Sequence, residues 1–171
     1  MKTEQYGCTR LRLFCLLLAS VSISLQLSSC ATQPASIGFG TIISETTPEG
    51  RLRMEILRTA QSMLGKPYHY GGSTPRGFDC SGLVFYSYKK AGITVPRTSR
   101  AQYQRTKPLA TAKLLPGDVL FFSIGGDISH VGIYQGDNVF IHAPVSGKQV
   151  TRDSMTSRYW NSHFVRGGRL L

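Results

Sequence analysis

Residues 116–143 read PGDVLFFSIGGDISHVGIYQGDNVFIHA, and the class of the fold turns on them. Three short runs inside this stretch are rich in β-branched and aromatic residues: Asp118–Ser123 (DVLFFS), His130–Tyr134 (HVGIY) and Val139–Ala143 (VFIHA). Runs of that length and composition, broken by glycine, are expected to be strands. Pro116-Gly117 opens the series. Gly136-Asp137-Asn138 marks a hairpin with a three-residue turn between the last two runs. Lys148–Thr151 and Phe164–Leu170 are candidates for two further strands.

Upstream the period changes to helical. Leu52, Ile56, Leu57, Ala60 and Leu64 share one face of a helix expected over Pro48–Leu64. Thr47 caps it, Pro48 takes the first position, and Gly65 and Pro67 end it. Asp79 is a good N-cap for a second helix from Cys80 to Ala91, with Val84, Tyr88 and Ala91 inward. Lys89 and Lys90 suit its negative end and Gly92 stops it. Thr98–Gln104 is a short third candidate. Helices first and strands afterwards argue an α+β fold, helices packed on an antiparallel β-sheet, and not a doubly wound one.

At 171 residues the chain has room for one domain of ordinary size. Twenty lysines and arginines against nine acids give a net charge of +11, which favours anionic partners without choosing among them. The basic residues are scattered, and no aromatic-basic motif interleaves with them, so no nucleic acid is expected as a partner.

The N-terminus reads as an export signal. Lys2, Arg10 and Arg12 precede the apolar run LFCLLLASVSISLQL at residues 13–27. That is a secretory core by length and flanks, short for a membrane span; an uncleaved anchor helix is the other reading. Leu27-Ser28-Ser29-Cys30 resembles a bacterial lipobox, in which the cysteine is lipidated and becomes the first residue of the mature chain. Ala31 after it looks like an outer-membrane address. The expected organisation is a signal peptide at 1–29, a flexible Thr/Ser/Pro/Gly-rich tether at 30–49 and a catalytic domain at 50–171.

Cysteine arithmetic then isolates one thiol. Cys8 and Cys15 leave with the signal and Cys30 carries lipid, so only Cys80 is free, in an oxidising compartment. It is either a nucleophile or a small buried hydrophobe. Its place at the start of a helix favours an anion, and such sites with a nearby imidazolium lower a thiol pKa from about 8.5 into the ~3.5–7.5 range. A thiolate at neutral pH is therefore expected. Gly82, with no side chain, lets neighbouring backbone pack close. His130 begins one strand and His142 lies on the next, facing it or diagonal to it, within side-chain reach. Nucleophile, base and orienting polar group is the triad logic in cysteine form. His69 and His163 are read as ordinary surface or core residues. A metal site of Cys80, His130 and His142 has no finger-like or HExxH spacing behind it.

Phe78-Asp79-Cys80-Ser81-Gly82-Leu83-Val84, Ser129-His130-Val131-Gly132-Ile133-Tyr134 and Ile141-His142-Ala143 together resemble the NlpC family of papain-like cell-wall cysteine peptidases. Gly65-Lys66-Pro67-Tyr68-His69-Tyr70-Gly71-Gly72, Val95-Pro96-Arg97-Thr98-Ser99 with Gln102, Pro116-Gly117-Asp118 and Tyr159-Trp160 support the match. It runs from Arg53 to about Arg169. The resemblance implies a circularly permuted papain-like α+β fold, with Cys80 as nucleophile, His130 as base and acid, and His142 as the polar third member. Tyr68 and Ser81 become candidates for holding substrate or the oxyanion. Arg97, Ser99 and Gln102 line the substrate groove or form a solvated helix face, and Asp79 is a cap. The implied activity is cleavage of amide bonds in peptidoglycan stem peptides, without metal or cofactor. The D-alanyl–diaminopimelate crosslink is the first candidate bond and D-glutamyl–diaminopimelate the second. A non-catalytic wall-binding lipoprotein and a papain-like acyltransferase are the rival readings. The implied location is the outer membrane, by a lipid on Cys30, with the domain facing the periplasm.

Overall fold

The computed structural model describes residues 45–145 and 148–171. The export signal, the lipobox cysteine Cys30 and the tether up to residue 44 lie outside the described residues.

Helix α1 (Pro48–Ser62) starts as its sequence dictates: the Thr47 hydroxyl accepts from the Gly50 N–H at 3.0 Å, with proline in the first turn. Ile56, Leu57 and Ala60 are buried, but Leu52 is 36% exposed, so the inward stripe is narrower than the spacing suggests. Helix α2 (Cys80–Lys90) is capped by Asp79, whose carboxylate accepts from the Gly82 N–H at 2.6 Å. Helix α3 (Ser99–Arg105) is capped by Thr98. Between α1 and α2 lies a two-stranded hairpin, β1 (Ser73–Thr74) with β2 (Gly77–Phe78), too short to register as a pattern.

Among the described residues the main sheet has six strands: β3 (Lys107–Leu109), β4 (Val119–Ser123), β5 (Ile128–Gly136), β6 (Val139–His142), β7 (Thr151–Ser154) and β8 (Phe164–Arg169). Their order is β3-β8-β4-β5-β6-β7, and every neighbouring pair is antiparallel. The sheet is thus the antiparallel one the sequence implies, with three differences. The β5–β6 turn has two central residues, not three: Gly136 pairs with Val139, and Asp137 and Asn138 both take left-handed φ (50° and 59°). That is the turn whose twist matches a hairpin, and Asp and Asn tolerate it. The strand expected at 148–151 lies at Thr151–Ser154 instead. Gln149 and Val150 are held by the loop after α1, through a Pro67–Gln149 bridge and bonds from Gly65 N–H to Val150 O and Val150 N–H to Lys66 O. β3, with Pro108 in its centre, is an edge strand, where a missing N–H costs little. Helix α4 (Arg158–His163), capped by Ser157, was also not anticipated.

Both faces of the sheet are covered. Val119, Phe121, Val131, Ile133 and Ile141 pack with Ile56, Leu57, Leu83, Val84 and Tyr88 of the helices. The alternate positions Leu120, Phe122 and Phe140 pack with Leu114, Met155 and Trp160 on the other face. This double burial explains why the strands read as near-continuous apolar runs. Asp118, fully buried ahead of β4, accepts from Arg53 of α1 at 2.9 Å and from two Arg169 nitrogens at 2.9 and 2.7 Å. That ion triad ties the first helix, the central strand and the last strand together.

Candidate active site

Cys80 is the first residue of α2, half-buried, on the wall of a cleft of about 420 Å³. Tyr68, Tyr70, Ser81, Arg97, Ser99 and Ser129 also line it, so four of the residues singled out as substrate candidates meet the thiol. A larger groove of about 560 Å³ runs beside α1, but among the described residues no cysteine or histidine lines it.

The loop-to-helix corner is built around Asp79. Its two carboxylate oxygens accept from Gly82 N–H, Gly71 N–H, Ser81 Oγ and both terminal nitrogens of Arg97. Burial pushes the Asp79 carboxyl up, but the Arg97 guanidinium and the Gly82 N–H outweigh it and hold it below the usual carboxylate range. Arg97 also donates to Gly72 O and Ser81 Oγ. A Cβ on Gly82 would run into the Gly72 carbonyl, so glycine is required for this close packing. The Ser81 hydroxyl is committed to Asp79 and Arg97; what Ser81 turns toward the sulfur is its backbone N–H. The Ser99 hydroxyl donates to Ile128 O at 3.3 Å. Gln102, fully buried, donates to Ser81 O and Pro96 O, and is a brace for the corner and not a groove residue.

The thiol donates to Ser129 O at 3.8 Å, and backbone N–H groups of Val131, Ser81 and Cys80 face it. Burial nevertheless dominates and pushes the thiol up to about 11; the Asp79 charge adds to this. The expectation of a resting thiolate is corrected: desolvation of the sulfur outweighs the helix N-terminus. Burial likewise holds His130 down at about 3, with the charge of His142 acting in the same direction. At neutral pH thiol and imidazole are both uncharged. Tyr68 is raised by burial and then by the neighbouring Cys80, Asp79 and Tyr70, so its phenol stays a donor.

His130 follows Ser129 of the cleft wall, and both it and His142 lie on the sheet face that carries Phe122, Phe140 and Trp160. The pairing of Ile133 with Ile141 makes the two histidines diagonal neighbours, and His130 Nε2 meets His142 Nδ1 at 2.9 Å. They are 4% and 0% exposed, so the pair is dry. His69 is exposed and His163 bonds Tyr159 O, both apart from the site. Two members of the cluster escaped the sequence reading. Asp153 of β7 bonds His142 Nε2 at 2.9 Å, and Trp160 lies 5.2 Å from the His130 ring at 27° to it. Tyr159-Trp160 was visible as a motif; a lone acid in a short strand carries no local signal.

The chain is similar to known proteins. Residues 65–169 match the NlpC/P60 family. The chain is 44% identical over 115 residues to "Probable endopeptidase p60" of Listeria monocytogenes, covering 67% of this chain and 23% of that protein. It is 41% identical over 114 residues to "Murein DD-endopeptidase MepH" of Escherichia coli, covering 63% of this chain and 42% of that one. The chain thus spans less than half the length of these curated relatives. A crystal structure of an NlpC/P60 family protein from Bacillus cereus superposes with a TM-score of 0.67 at 31% identity, over 70% of this chain and 40% of that one. With a cysteine at the start of a helix, paired histidines on adjacent strands and a family match over most of the described domain, this chain belongs to the NlpC/P60 family of papain-like cysteine peptidases.

Proposed function

We propose that the chain is a peptidoglycan endopeptidase with Cys80 as its nucleophile. The observation that carries this reading is Cys80 at a helix N-terminus in an open cleft, beside the strand that bears a dry histidine pair. His130 Nε2 is taken by His142, which leaves Nδ1 to act on the thiol. Because both groups are neutral at rest, the sulfur loses its proton during attack. The S–H swings from Ser129 O to His130 Nδ1, and a bond forms from Sγ to the scissile carbonyl carbon. The resulting oxyanion is met by backbone N–H groups near Cys80 and by the Tyr68 phenol. His130 then gives that proton to the leaving amine, the C–N bond breaks, and a thioester remains. Water attacks the thioester carbon, one of its protons passes through His130 to sulfur as the C–S bond breaks, and the carboxylic acid that leaves gives its remaining proton to solvent.

For the bond cut, the D-alanyl–diaminopimelate crosslink is the first choice, supported by 41% identity to a protein named a murein DD-endopeptidase. Attachment to the outer membrane by lipid on Cys30, with the domain in the periplasm, rests on Leu27-Ser28-Ser29-Cys30 and the residues before it. Incubating the purified chain with defined crosslinked and monomeric muropeptides, followed by mass spectrometry, tests the reading. Conversion of crosslinked dimers to monomers supports the first bond. Release of fragments cut after D-glutamate moves the assignment to the second bond, and no product from either substrate overturns the activity.

A further inference from the structure

The histidine pair does not end at His142. Asp153 on β7 pairs across from Phe140, which puts it diagonal to His142, and its Oδ2 sits 2.9 Å from His142 Nε2. The same Oδ2 accepts from the Trp160 indole N–H at 2.9 Å. Three strands thus carry one line of contacts, Asp153 to His142 to His130, in two diagonal steps.

We propose that Asp153 is a positioning residue that sets the proton-bearing nitrogen of both histidines, so that the relay in this chain has four members and ends on a charge. The inference rests on the reading of Cys80, His130 and His142 given above. A carboxylate only accepts hydrogen bonds and an indole N–H only donates. Facing Oδ2, His142 Nε2 must therefore carry its proton, and its Nδ1 is then a bare acceptor. That acceptor requires a proton on His130 Nε2. His130 Nδ1 is left bare, the form a base needs to take the thiol proton. With both rings neutral, any other assignment sets lone pair against lone pair, or N–H against N–H, at one of the two 2.9 Å contacts. Trp160 adds to the restraint: it anchors Oδ2 and stacks on the His130 ring at 27°. The Asp153 side chain is 42% exposed while His142 is fully buried, so the charge stays in reach of water. Its hydrogen bond and its charge both favour a proton on His142, but burial outweighs them and keeps that ring neutral.

The test uses the full chain in mild detergent with ¹⁵N-labelled histidine, so that imidazole nitrogen shifts report each tautomer directly. Wild type should show both His130 and His142 protonated on Nε2. Asp153→Ala should give His142 a mixture of tautomers and lower kcat about 10–100-fold, the size typical of an outer orienting partner, with KM within about twofold. Asp153→Asn, whose amide oxygen can still accept both bonds, should restore the wild-type tautomers and recover part of kcat. A wild-type His142 protonated on Nδ1 overturns the proposal, and this measurement needs no variant to fold. So does an Asp153→Ala chain whose tautomers are unchanged, whatever its turnover. Turnover by Cys80→Ala would instead remove the catalytic reading beneath it.

Discussion

At the scale of single residues, Cys80 and His130 are held neutral by the same cause, removal from water. The thiol stays protonated until substrate arrives, so alkylation by iodoacetamide should be slower at pH 7 than for a free cysteine. Its rate should climb about tenfold per pH unit toward pH 11, as the thiolate fraction does; rapid labelling at pH 7 would instead show a preformed ion pair. Cys80→Ser should keep the fold, read by circular dichroism, and lose nearly all turnover, because an alkoxide is harder still to form here. His130→Ala should cost about 10²–10⁴-fold in kcat/KM as the general acid and base. His142→Asn or Gln should retain more activity than His142→Ala, since the amide oxygen can still accept from His130 Nε2; a mild His130→Ala beside a severe His142→Ala would reverse the two roles. Titration also reaches stability. His130 is lowered from 6.5 to about 3, so the unfolded chain binds the proton first. Its contribution is complete above pH 6.5 and is lost as pH falls toward 3, with Asp79, also lowered, adding to the loss below its usual 3.8. Thermal melts should show Tm falling through that window, and His130→Asn should flatten the upper part of the fall.

At the scale of elements, the N-terminus of α2 is where local sequence and tertiary packing agree most closely. Asp79 as a cap, Cys80 as the first helical residue and the bare Gly82 were all legible, because capping and close approach are local rules. Gly82→Ala should open this corner by pressing on the Gly72 carbonyl and Arg97, lowering kcat/KM and Tm together, whereas a surface change such as Lys90→Ala should leave both near wild type. The ion triad of Arg53, Asp118 and Arg169 was not legible, since its members come from three elements. Asp118→Ala leaves two arginines facing an empty site, one of them 1% exposed, and should destabilise the fold by about 3–5 kcal/mol by urea denaturation. A loss under 1 kcal/mol would mean that water replaces the carboxylate. The strand that carries Asp153 was expected three residues too early, because Gln149 and Val150 are claimed by the loop after α1, a partner far away in sequence.

At the scale of the whole molecule, Cys30→Ala should abolish incorporation of labelled palmitate and leave the precursor unsorted; incorporation equal to wild type would refute the anchor. What the sequence determined by itself is what depends on near neighbours and on period: the helices α1, α2 and α3 and the strands β4, β5, β6 and β8, where α2 begins, and that one thiol and two histidines stand out as chemistry. The sorting of Val119–Phe122 between the two covered faces was not legible, because the run is apolar throughout and both faces are buried. Only the tertiary structure decided the protonation states and the full length of the relay. A pKa follows from how much water a group loses, and Cys80 and His130 lose it to elements packed from elsewhere in the chain. Asp153 becomes part of the site because β6 and β7 pair in a register that sets it diagonal to His142, and a register between strands is a property of the assembled sheet.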